Sequence, residues 1–312
     1  MTIREAYAEA SSFLQRSGIM EPESNTERLL EHVLGETRSG MLMRWAEPFP
    51  AQLDDIWQEL LARKAAGEPV QYIIGEQEFY GLPFQVGPAV LIPRPETELL
   101  VEEVVRLGSM LWPAGRSASG DGKVGPLATA LSEETGIAGG GPVICDIGTG
   151  SGAIAVTLAS LCPGWRVLAS DLSEDALEMA KGNAKRLLGP GRIEWAQGDL
   201  LRPWIEQGGP IDILVSNPPY IPEEDERGLQ VEVRLFEPRT ALYGGVDGLV
   251  LYRRMVAQLA ELSQLPRIVA FEVGLGQAEA VRELLLQAAA WDEVRLIPDL
   301  AGIDRHVVAF RR

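Results

Sequence analysis

Apolar residues recur at helical spacing through the first 67 positions. Ile3, Ala6, Ala10, Phe13 and Leu14 form one stripe. Thr2-Ile3-Arg4-Glu5 in front of it has the spacing of a capping box, and Gly18 stops the run. A second helix is expected after Pro22, carrying Leu29, Leu30, Val33 and Leu34 and ending at Gly35. A third starts near Pro50, places Leu53, Ile56, Trp57, Leu60 and Leu61 on one face, and closes at Gly67. Residues 1–67 therefore read as a small helical bundle with no chemical signature of its own, suited to packing or to docking a substrate.

The pattern changes over 69–92. Val70, Tyr72, Ile73 and Ile74, then Gly75, Phe79-Tyr80-Gly81 and Phe84 to Val86 predict a β-hairpin, within a connector assigned to residues 68–95. Two prolines in Ile92-Pro93-Arg94-Pro95 hold the chain extended, and Glu96 to Leu111 reads as a helix with an acidic first turn. Residues 113–141 are rich in Gly and Ser and read as a linker inside a third region, 96–312, with a weak helical piece at Leu127 to Glu134. From Val143 onward, strand and helix patterns alternate. Strands are expected at Val143–Ile147, Arg166–Asp171, Ile193–Gly198, Ile211–Ser216 and Ile268–Val273, with two more near Val294–Ile297 and His306–Phe310. Helices are expected at Ala153–Leu161, Glu174–Leu187, Leu249–Leu262 and Ala278–Ala289. That alternation specifies an α/β fold with a doubly wound, mostly parallel sheet, whose ligands bind at the carboxyl ends of the central strands.

Charge narrows the partners. The chain has 45 acidic against 28 basic residues, a net charge of -17. Binding that depends on neutralising phosphates normally shows a basic excess, so this balance favours a protein substrate over nucleic acid. No apolar run approaches the roughly 18 residues that span a bilayer, and the first residues lack a signal segment. The two cysteines, Cys145 and Cys162, form no Cys-x-x-Cys pair and read as reduced thiols of a cytoplasmic protein.

Chemistry enters at the strand ends. Asp146-Ile147-Gly148-Thr149-Gly150-Ser151-Gly152-Ala153 follows the first strand of the alternating region and opens a helix, so glycines let a ligand approach unpaired N–H groups. Alone the loop is ambiguous: Gly148-x-Gly150-x-x-Ala153 also fits a dinucleotide fingerprint, with Asp171 at the spacing of a ribose-binding acid. Asp146 stands where a carboxylate would repel a pyrophosphate but suits a ligand with an ammonium and a sulfonium. Asp199, after the third of these strands, is placed for an adenine amine. Together with the next motif these favour S-adenosyl-L-methionine as cofactor. Ser173 is the natural cap of the following helix, which leaves Asp171 for two ribose hydroxyls.

Asn217-Pro218-Pro219-Tyr220 leaves the end of the buried strand Asp212 to Ser216. Adjacent prolines fix the backbone and remove its donors. The Asn217 side-chain oxygen and the Pro218 carbonyl are then positioned to accept the two coplanar N–H groups of an amide or exocyclic amine, with Tyr220 against its face. Polarising both N–H bonds turns electron density on the nitrogen toward a methyl group held in line. An adenine-specific nucleic-acid methyltransferase uses the same device, but the following Pro222-Glu223-Glu224-Asp225-Glu226-Arg227 is acidic and unsuited to a flipped base. His32 and His306 read as structural.

The whole pattern resembles the HemK/PrmC family of protein-glutamine methyltransferases. The markers are Glu78 to Gly81, Ile92 to Glu98, Asp146 to Gly152, Asn217 to Tyr220, Phe236 to Leu242 and Asp299 to Arg305. The resemblance implies a class I Rossmann-like methyltransferase domain. It implies methyl transfer to the glutamine of the Gly-Gly-Gln motif in class 1 peptide-chain release factors. By the same resemblance Asp146, Ile147, Gly148, Thr149, Gly150, Asp171 and Asn217 contact the cofactor, and Leu200 stands where some relatives carry a ring flanking adenine; Asp199 joins these cofactor contacts as the acid placed for the adenine amine. The resemblance also implies that Asn217, Pro218, Pro219 and Tyr220 bind the glutamine; Arg94 and Glu96 are further expected substrate contacts, with no metal and a monomeric enzyme.

Overall fold

A computed structural model describes residues 1–113 and 141–312. The expected linker, with its helical piece at Leu127 to Glu134, lies outside the described residues apart from its ends. The described chain divides into two compact units, one of Met1–Glu76 with Leu229–Glu237, the other of Gln77–Gly228 with Pro238–Arg312.

In the first unit α1 (Ile3–Arg16) begins with the capping box: Glu5 N–H donates to Thr2 Oγ1 at 3.2 Å, and Thr2 N–H donates to Glu5 Oε2 at 2.7 Å. The helices α2 (Pro22–Leu34) and α4 (Asp54–Ala65) pack with it around Ile3, Leu14, Leu29, Leu30, Trp57 and Leu61. A short α3 (Arg38–Met43), absent from the periodicity, comes between them, where Thr37 caps Gly40 N–H. Ile56 and Phe13, expected on the packed stripes, are 44% and 39% exposed, so each stripe is narrower than its apolar residues suggest. Val70–Ile74, expected as hairpin strand, is instead a helix, α5. Its five residues sit between Pro69 and the left-handed Gly75 (φ 83°), and burying Val70, Tyr72 and Ile73 satisfies the apolar run without a strand partner.

The hairpin that does form joins β1 (Glu76–Phe79) to β2 (Leu82–Gln85). After α6 (Pro95–Leu111), the second unit runs β3 (Val143–Ile147), α7 (Ala153–Leu161), β4 (Arg166–Asp171), α8 (Glu174–Leu188), β5 (Ile193–Gln197), α9 (Arg202–Gln207) and β6 (Ile213–Ser216). The segment α10 (Val231–Phe236) belongs to the first unit, and α11 (Val250–Gln258), β7 (Ile268–Glu272), α12 (Ala278–Ala288), β8 (Glu293–Pro298) and β9 (Asp304–Phe310) complete the second. The strands form one seven-stranded sheet in the order β5-β4-β3-β6-β7-β9-β8, with β9 antiparallel to both neighbours. This is the expected doubly wound, mostly parallel sheet.

Both faces are covered, which is why the central strands read as unbroken apolar runs rather than alternating ones. Ile144, Ile213, Val215, Ile268 and Ala270 point to the face carrying α6 and α7. Cys145, Leu214, Val269 and Phe271 point to the opposite face with Met255 and Leu285. Tight packing of α6 depends on Gly108, since a Cβ there would stand 2.2 Å from the Trp165 ring.

One buried charge tests the first unit. Lys64, with its side chain fully buried, donates to the Glu68 carbonyl at 3.0 Å and pairs with Glu232, so residues 229–237 are fastened by a charge and not by apolar packing alone. Removing one partner of a buried pair leaves the other desolvated and uncompensated. Glu232→Ala is expected to cost about 3 kcal/mol in urea unfolding, and Lys64→Met less, because an apolar chain fills the same space; equal losses would contradict this account.

Candidate active site

Strand register brings the sequence motifs to one edge. Ile147 lies opposite Ser170 on one side and Ser216 on the other, and Ser216 lies opposite Phe271. The residues that follow these positions, Gly148, Asp171, Asn217 and Glu272, therefore emerge side by side at the carboxyl end of the sheet.

The glycine turn is held by the sheet and by Asp146. Gly148 and Thr149 N–H both donate to the Ser170 carbonyl, at 2.9 and 3.0 Å. Asp146 is fully buried, and its Oδ2 accepts from Thr149 Oγ1 at 2.6 Å and from Ala155 N–H at 3.2 Å. Its other oxygen, Oδ1, is buried with no hydrogen-bond partner among the described residues. Gly148, Gly150 and Gly152 all sit at positive φ, 69°, 56° and 82°. Around Gly148 and Gly150 a Cβ would meet open space, while at Gly152 it would press on Ala180 at 3.2 Å. The first two thus keep the backbone approachable and the third lets α7 pack. Burial pushes the Asp146 carboxyl up to about 7, against the two hydrogen bonds that favour its charge.

Both carboxylate oxygens of Asp171 are engaged by backbone N–H groups, beside a separate helix cap. Its Oδ2 accepts from Gly150 N–H and its Oδ1 from Ser173 N–H, both at 2.9 Å, while Ser173 Oγ caps Ala176 N–H at 3.2 Å. Burial again raises its pKa. Asp199 is half-exposed and paired with Arg254, so its carboxylate has a partner within the protein. The next residue, Leu200, takes a left-handed backbone (φ 55°) and packs against the core of its face. A non-glycine residue there carries strain.

Around the tetrapeptide, Pro218 is buried, and Asn217, Pro219 and Tyr220 are half-buried. Asn217 Nδ2 donates to Thr97 Oγ1 at 3.1 Å, and Thr97 Oγ1 donates to Glu272 Oε2 at 2.5 Å. The Tyr220 carbonyl accepts from Gln277 Nε2 at 2.8 Å, and burial pushes its phenol up to about 12. Arg94, at the start of α6, and the exposed Glu96 in its first turn both lie within electrostatic reach of that phenol. A further strap, residues 238–248, runs past the tetrapeptide: Ile221 N–H donates to the Leu242 carbonyl and Gly244 N–H to the Ile221 carbonyl. A Cβ on Gly244 would stand 2.5 Å from the Pro219 oxygen, and one on Gly248 would stand 2.1 Å from the Tyr220 oxygen.

Sequence reasoning missed Thr97, Glu272, Gln277, Gly244 and Gly248. Glu272 carried a usable signal, a lone acid ending the buried run Ile268–Val273. Gly244-Gly245-Val246-Asp247-Gly248 is a turn cluster whose partner is remote in sequence.

An orphaned buried carboxylate oxygen beside an open glycine turn fits a cationic ligand that lies against the backbone, as S-adenosyl-L-methionine would. Sheet order, glycine turn and strand-end acids together define a class I, S-adenosyl-L-methionine-dependent methyltransferase. Residues 5–75 match the PrmC N-terminal domain and 144–238 a methyltransferase domain. Release factor glutamine methyltransferases of Bacillus anthracis and Moorella thermoacetica are 41% and 39% identical to this chain, over 99% and 100% of it and 99% of each relative. The chain belongs to the release factor glutamine methyltransferase family. Among solved structures, the catalytic domain of human Mettl16 (16% identity, TM-score 0.51, 81% of this chain and 82% of that one) shares the fold. So does human methyltransferase 10 domain containing protein (17%, TM-score 0.50, 82% and 97%).

Two predictions follow from the geometry. Between its unfolded value near 4 and its folded value of about 7, Asp146 binds a proton only in the native state. Its contribution to stability therefore falls as pH rises through that window. The stability of Asp146→Asn relative to the unliganded parent should accordingly improve from pH 5 to pH 8; a pH-independent difference in urea unfolding would contradict the raised pKa. Gly248→Ala, strained at φ 72° and clashing with the Tyr220 carbonyl, is expected to cost on the order of 3 kcal/mol. It should also depress methyl transfer, whereas Gly276→Ala, at φ 79° but with nothing near its Cβ position, should cost only the backbone strain of about 1 to 2 kcal/mol.

Proposed function

We propose that this protein methylates the side-chain amide nitrogen of the glutamine in the Gly-Gly-Gln motif of class 1 release factors. The observation that carries the reading is the emergence of Asn217-Pro218-Pro219-Tyr220 from a buried strand at the same sheet edge as Asp146 and Asp171. Bound there, S-adenosyl-L-methionine supplies an electrophilic methyl group on a sulfonium. Asp146, with Ile147 to Gly150, takes its charged amino-acid portion. Asp171 takes the ribose hydroxyls, and Asp199 and Leu200 flank the adenine, Asp199 exchanging its contact with Arg254.

An amide nitrogen is a weak nucleophile because its lone pair is delocalised into the carbonyl. Asn217 Oδ1 and the Pro218 carbonyl accept the two N–H groups, which holds the nitrogen in place and drives density onto it. Two prolines make this pair rigid, so little reorganisation is needed during the reaction. Tyr220 covers the amide plane, and its phenol, raised to about 12, stays protonated and acts as a wall rather than a base. The methylated nitrogen is strongly acidic and releases its proton to solvent. Arg94 and Glu96 line the approach to Tyr220 and engage the substrate peptide. The helical unit 1–67 docks the release factor, and the connector 68–95 leads into the catalytic region 96–312. A cytoplasmic, monomeric enzyme acting on protein and not nucleic acid completes the proposal, and the net charge of -17 supports its last part.

The decisive assay offers labelled cofactor with a release factor, its Gln→Ala variant and duplex DNA. Label is expected on the first alone; label on DNA, or on the Gln→Ala variant, would overturn the reading. Asn217→Ala should lower kcat by at least about 100-fold while the cofactor Kd moves less than about threefold. Matching losses in the two would make Asn217 a cofactor ligand instead.

A further inference from the structure

The residues behind Asn217 form a hydrogen-bond chain whose direction is set at its far end. A carboxylate is an acceptor only, so Glu272 Oε2 takes the hydroxyl proton of Thr97 across 2.5 Å. With its proton committed, Thr97 Oγ1 has only lone pairs to offer Asn217. It must then receive an N–H, and the Asn217 amide turns its Nδ2 inward at 3.1 Å. Its Oδ1 is left facing the opposite way. A side-chain amide has two nearly isosteric orientations, and only one of them accepts from a substrate N–H group.

We infer that Glu272, acting through the Thr97 hydroxyl and through its own interaction with the Asn217 amide, is a positioning residue that fixes the orientation of that amide and so presents an acceptor, not a donor, to the substrate nitrogen. The inference rests on the reading of Asn217 as the acceptor for the substrate amide.

The surroundings of Glu272 suit this task. It ends β7 on the face that carries α6, buried at 3% exposure. Its main-chain carbonyl accepts from Tyr252 Oη at 2.6 Å, which pins the backbone that bears it. Groups facing its carboxyl are Glu96 and Thr97 from α6, Asn217 and Tyr220 beyond β6, Tyr252 from α11, and Arg305 and His306 from β9. His306 Nε2 lies 3.9 Å away, and burial pushes that imidazole down to about 4, so it brings no positive charge near neutrality. Burial and Glu96 raise Glu272 to about 7, while Thr97, Asn217 and Arg305 favour its charged form. A protonated Glu272 donates to Thr97, whose own proton then turns to Asn217 and draws in Oδ1. The chain reverses, and Nδ2 is what the substrate meets.

The test uses the full-length enzyme with a release factor as substrate, reading kcat against pH together with cofactor Kd by calorimetry. For the parent protein, kcat is expected to fall below about pH 7 with one-proton dependence as Glu272 takes up its proton. Thr97→Val keeps the shape but removes the hydroxyl. It should lose about 30-fold in kcat and also lose that inflection, with Kd changed less than about threefold. Thr97→Ser restores the hydroxyl and should recover both rate and inflection. Parent-like turnover and pH profile in Thr97→Val would overturn the inference, as would Thr97→Ser being as impaired as Thr97→Val. Should the Thr97 variants fail to bind cofactor, Glu272→Gln decides: its profile should lack the inflection near pH 7, and keeping it would overturn the inference. Failure of the parent enzyme to label the release factor at all would strike at the proposed function instead.

Discussion

The register of the parallel sheet is the constraint on which the remaining chemistry depends. Ile147 is aligned with Ser170 and Ser216, and Ser216 with Phe271, through backbone hydrogen bonds that carry no chemical specificity. What they supply is phase. Each strand ends at the same level, so the next residue on each (Gly148, Asp171, Asn217, Glu272) arrives at a common edge. A slip of one residue in β6 would exchange the faces of Ile213, Leu214 and Val215, and that exchange is resisted by apolar cores on both sides. The site is therefore positioned by hydrophobic packing some distance away, and the polar groups at the edge inherit their geometry from it.

That inheritance places acids where burial disfavours their charge. Asp146 and Glu272 are both buried, and in both the largest effect on the carboxyl is desolvation, which raises each to about 7. Among the described residues neither carboxyl forms an ion pair with a Lys or Arg, although Arg305 acts on Glu272 at longer range. Hydroxyl and N–H groups from Thr149, Ala155 and Thr97 offset the cost only in part. Acids arranged this way weaken the unliganded fold at neutral pH. Asp171 follows the same logic in a milder form, with two backbone N–H groups on its carboxylate and a separate residue, Ser173, capping the helix.

Most of the fold was legible because the signals were local. Helix α1 announces itself by its capping box, and the strands β3 and β4 fall on the residues that periodicity assigns. Val70–Ile74 misled because five apolar residues with β-branched members fit a strand as well as a buried helical turn, and only burial decided between them. The site divides in the same way. Asp146, Asp171 and Asn217 were legible as polar residues at strand ends. Gln277, Gly244 and Gly248 were not, because each is specified by a backbone atom of Pro219 or Tyr220 that is remote in sequence. Thr97 sat inside a recognised marker, yet its partner, 175 residues away, could be named only in three dimensions.

The path of the chain after Tyr220 explains why the tetrapeptide can be rigid without being enclosed by regular structure. Upstream it is anchored by β6. Downstream, residues 238–248 bond back onto Ile221, and Gln277 holds the Tyr220 carbonyl. Between those two fixings the chain runs through 229–237, which belongs to the helical unit and is fastened there by the Lys64–Glu232 pair. A short loop across the same interval would have closed the strand end with fewer residues. The longer excursion makes the covalent continuation of the tetrapeptide part of the helical unit. The acidic run Glu223 to Glu226 lies between the tetrapeptide and that segment.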